Sequence, residues 1–89
     1  MKEISNERLD KEFDRTEKAL NAIKISSHDD AAHELFDLAK RYYEDARYFK
    51  EKGDFASAFG ALNYAFGLLD AGVKLKFFSV TGDKDLFIA

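Results

Sequence analysis

The sequence predicts an all-α fold: an antiparallel three-helix bundle, up-down-up as in a spectrin repeat, closed by a short C-terminal tail or mini-hairpin. Three observations carry that expectation. There is no proline among the 89 residues and only five glycines, so little interrupts a long helix. Apolar residues recur three and four apart through three successive segments. The joint between the second and third segments is only Lys52-Gly53-Asp54, too short for anything but an antiparallel turn. The expected organisation is one helical domain over 1–89, with helices at about 4–25, 29–52 and 55–78 and a tail at 79–89.

The first helix places Leu9, Phe13, Thr16, Leu20 and Ile23 at spacings of 4, 3, 4 and 3, a narrow stripe, with Ser5 positioned as N-cap. Glu7 with Lys11 and Asp14 with Lys18 are acid-first pairs four apart, which support an exposed helix surface. Ser26 to Asp30 breaks the pattern, and Ser27 with Asp30 has the spacing of a capping box. The second helix carries a broader apolar face built on Ala32, Leu35, Ala39, Tyr42, Ala46 and Phe49. Gly53 then supplies the left-handed residue that ends it, and Asp54 caps the next helix.

The third helix is the unusual one. Phe55 to Leu69 runs fifteen residues without a charge, in a protein of which 35% is charged. Phe55, Phe59, Leu62, Phe66, Leu69, Val73 and Phe77 cluster on one side, flanked by a small stripe at exact sevens, Ala58, Ala65 and Gly72. The apolar arc exceeds half the circumference, enough to touch two helices. Opposite it, where charge belongs, stand Ala56, Gly60, Asn63 and Gly67, with no charge until Asp70 and Lys74. Each glycine costs roughly 1 kcal/mol against alanine inside a helix, so this strip is the predicted contact face for a partner. Tyr48, the only aromatic on the polar face of the second helix, is a second candidate anchor. After Thr81-Gly82-Asp83-Lys84, Leu86-Phe87-Ile88 is expected to fold back on the bundle or pair with Phe78-Ser79-Val80.

Composition removes several classes of function. No cysteine means no disulfide and no thiolate metal site. A formal charge of −3 and a pI near 5.3 make nucleic acid an unlikely partner by charge. No apolar run reaches the roughly 18 residues of a membrane span, and the start MKEISNERLDKEF has no signal-peptide core, so a soluble cytoplasmic protein is expected. His28 and His33, five apart beside Asp29, Asp30 and Glu34, do not share a helical face, and no metal or cofactor is expected. No Ser-His-Asp set, phosphate loop or inward-facing base can be assembled either, so no catalytic residue is nominated. The reading that remains is an interaction or oligomerisation module, self-associating as a dimer or binding another protein. An RNA-associated accessory protein is the alternative, on Lys40, Arg41, Arg47, Lys50 and Lys52, and a small helical enzyme comes third.

Tyr42 to Ala46 (YYEDA), the Lys52-Gly53-Asp54 joint and Ala61 to Leu75 (ALNYAFGLLDAGVKL) together resemble the diagnostic core of a small archaeal family catalogued as domain of unknown function 357. The likeness spans Leu38 to Leu75 and implies a compact all-helical protein with no assigned activity, hence no catalytic residues to transfer. A looser resemblance, through Ala46, Phe49 and the Gly53-Asp54-Phe55 joint, is to tetratricopeptide-type hairpins; it suggests shape only, since no second copy of the hairpin occurs.

Overall fold

A computed structural model describes residues 4–82 and 84–87. Three helices, α1 (Asn6–Ala22), α2 (Asp30–Glu51) and α3 (Phe55–Lys74), pack as an all-α bundle. Two short strands, β1 (Ile23–Ile25) and β2 (Phe78–Val80), and a 3₁₀ turn at Lys84–Phe87 close one end.

The caps explain where most helices begin and end. The Ser5 hydroxyl accepts the Arg8 amide at 3.1 Å. At the α2–α3 joint Gly53 has φ +78°, the Gly53 amide donates to the Lys50 carbonyl and the Asp54 amide to that of Phe49. This is a Schellman stop, and the Asp54 carboxylate at once accepts the Ser57 amide to start α3. The cap of α2 differs from expectation. Ser27 and Asp30 form no capping box; Asp29 is the N-cap, accepting from Ala31, while the Ser27 hydroxyl accepts the Asp29 amide.

Two helices are shorter than their periodicity suggests. α1 stops at Ala22, because Ile23-Lys24-Ile25 alternates as a strand and pairs antiparallel with Phe78-Ser79-Val80, Ile23 opposite Val80 and Ile25 opposite Phe78. α3 stops at Lys74. Lys76 takes the left-handed conformation (φ 67°) and the Phe77 amide donates back to the Gly72 carbonyl. The expected pairing of 78–80 with the tail is therefore replaced by pairing with β1. The tail does fold back: Phe87 is buried and stacks on Phe66, with ring centroids 5.4 Å apart. Asp83 and Ile88 of that segment lie outside the described residues. Thr81 ties the closure together, its amide and hydroxyl both donating to the Ala22 carbonyl that ends α1.

The α2–α3 seam is built from small residues on both sides. Ala32, Ala39 and Ala46 of α2 and Ala58, Ala65 and Gly72 of α3 are all buried, each set at sevens. Small residues let two helix backbones approach closely, as the sparse side-chain volume between them requires. At Gly72 the approach is absolute, since a Cβ would overlap the Phe78 ring and stand 3.1 Å from Leu35. α1 joins the opposite flank of α3 through Leu9, Thr16, Ala19 and Ala22. Between α1 and α2 the links are long side chains: the Tyr43 hydroxyl donates to Glu17 at 2.8 Å, and Lys50 pairs with Asp10 at 2.9 Å.

Candidate interaction face

On α3 the side turned away from the bundle begins where α1 stops covering it. The Arg8 guanidinium lies 4.9 Å from the Phe59 ring centre and that of Arg15 lies 3.7 Å from Phe66, so α1 caps this flank with two arginines. The far flank is bounded by α2, where Tyr42 stacks on Tyr64 at 4.5 Å. Between these edges Ala56, Gly60, Asn63 and Gly67 are all exposed, together with Tyr64 and Ala71. A Cβ added at Gly60 or at Gly67 would meet nothing within 4 Å. Among the described residues neither glycine is required by packing, nor by its backbone conformation.

Residue by residue, the face has two unequal halves. At about 100° per residue, Asn63, Ala56, Gly67 and Gly60 form a low row on the α1 side. Ala71, Tyr64, Leu75 and Leu68 follow on the α2 side and form a higher row. Tyr64 is 55% exposed and Leu75 is 63% exposed, two of the three large hydrophobic side chains that stand out into solvent among the described residues. Tyr64, Ala71 and Leu75 are exposed, whereas Leu68 is half-buried and packs on the core, and the strip is uncharged only from Ala56 to Gly67, with the exposed Lys74 following in the same row.

The structure gathers four of the five nominated positions, Ala56, Gly60, Asn63 and Gly67, and leaves the fifth apart. Tyr48 is 57% exposed on the outer side of α2, with the Lys52 ammonium 5.5 Å over its ring and the Phe49 ring edge-on at 5.8 Å. The residues that sequence reasoning did not assign to the face are Ala71, Leu75 and Tyr64. Tyr64 was legible as a residue four after Gly60 and three before Gly67; its stacking on Tyr42 was not, because that contact belongs to the packing of two helices.

A second concavity, a surface groove of about 700 Å³, lies between α1 and α2 and is lined by Phe13, Glu17, Tyr43, Arg47, Lys50 and Glu51. Two of its polar groups bond each other, and two more reach carboxylates outside the lining. Tyr43 holds Glu17, Lys50 holds Asp10, and Arg47 stands 3.9 Å from Glu44. Burial, reinforced by the bond to Glu17 and its negative charge, pushes the Tyr43 hydroxyl up to about 12, so it remains a donor across the neutral range. Among the described residues no group of three or more His, Cys, Asp or Glu side chains is placed to hold a metal ion, and no helix is long and apolar enough to cross a membrane.

Against known proteins, the family model described as protein of unknown function (DUF357) matches residues 12–78, from the middle of α1 to the start of β2. No curated protein and no solved structure matches the chain.

Proposed function

We propose that this chain, which belongs to the DUF357 family of proteins of unknown function, works as a helical self-association module, with the outer face of α3 as its contact surface. The observation that carries the reading is the pair of open glycines. Gly60 and Gly67 weaken α3 by roughly 1 kcal/mol each relative to alanine, and among the described residues nothing approaches within 4 Å of where a Cβ would stand at either one. The same helix shows what such residues accomplish when a neighbour is present, since Ala58, Ala65 and Gly72 let α2 close on it. A second helix laid on the outer face gains the same close backbone approach. It also covers Tyr64 and Leu75, and apolar area removed from water stabilises at about 25 cal/mol per Å².

The test is mass in solution. The protein is expected to weigh as a dimer at micromolar concentration, and Gly60→Glu with Gly67→Glu is expected to release a folded monomer. A wild-type protein that stays monomeric throughout the concentration range, or a double variant with unchanged mass, overturns the reading.

A further inference from the structure

We draw no further inference here: the strongest candidate, the groove between α1 and α2 lined by Phe13, Tyr43 and Lys50, keeps Tyr43 on Glu17 and Lys50 on Asp10, and nothing in the structure shows what covers it.

Discussion

Two sets of small residues on α3 are separated by half a turn of the helix and meet opposite circumstances. On the inner side Ala58, Ala65 and Gly72 stand against Ala32, Ala39 and Ala46, all buried. On the outer side Ala56, Gly60 and Gly67 are exposed, and a Cβ at either glycine would meet none of the described residues within 4 Å. The inner set shows a reason within the chain: Gly72 leaves just enough room for the Phe78 ring of β2 and the Leu35 side chain. The outer glycines show no such reason among the described residues, and they weaken the helix that carries them. A glycine tells little by its identity; what its missing Cβ would have touched tells which surface it serves.

The largest effect that sharpens this contrast is expected at the inner glycine. Gly72→Ala forces Phe78 from its place and pushes Leu35, and overpacking of this kind costs about 1–3 kcal/mol, here towards the upper end because Phe78 is held by its strand. The urea midpoint should fall accordingly; an unchanged midpoint means the ring moves aside freely and the contrast is overstated. The same substitution at the outer glycines should have the opposite sign. Gly60→Ala with Gly67→Ala adds helix propensity without a clash, raising the stability of the dilute monomer by about 1–2 kcal/mol in sum. A loss of monomer stability would break the comparison outright.

The α1–α3 seam supplies an intermediate case, in which the group is buried but not satisfied. Thr16 is fully buried and its hydroxyl has no hydrogen-bond partner. Thr16→Val keeps the shape and removes the unpaired group, so it should raise stability by about 1 kcal/mol, read from the same urea midpoint. Destabilisation would mean that the hydroxyl is satisfied in solution.

The smallest effect concerns the α1–α2 side, held by the Tyr43–Glu17 bond. The Tyr43 hydroxyl is raised from 10.0 to about 12, so the fold favours its protonated form. That contribution is fully present below pH 10 and is lost as pH rises through about 12. Ultraviolet titration should show Tyr43 ionising at about 12, and Tyr43→Phe should flatten the fall in stability over that window. A Tyr43 that ionises near 10 would show that the hydroxyl is neither buried nor bonded to Glu17 as the fold places it.

Helices and caps were legible in the sequence where the signal is local. Ser5, Gly53 and Asp54 act within four residues of where they stand, and the 3–4 stripes decide which side of each helix is buried. The ends of α1 and α3 were not legible, because Ile23 and Phe77 continue the helical period equally well. What stops α1 is a strand pairing between residues more than fifty positions apart, and what stops α3 is a lysine in a left-handed turn. The strip on α3 was legible as an absence of charge. Its border was not, since Tyr64 stacking on Tyr42 and Arg8 lying over Phe59 depend on how three helices meet.

One spectrum tests the contrast between the two faces most directly. Backbone amide shifts of Gly53, Gly60, Gly67 and Gly72 are followed by NMR as the protein is diluted from millimolar to low micromolar. Gly60 and Gly67 should shift together along a single dissociation curve, while Gly53 and Gly72, whose surroundings are complete within one chain, stay fixed. Four glycine signals that remain still across the whole range would contradict the account.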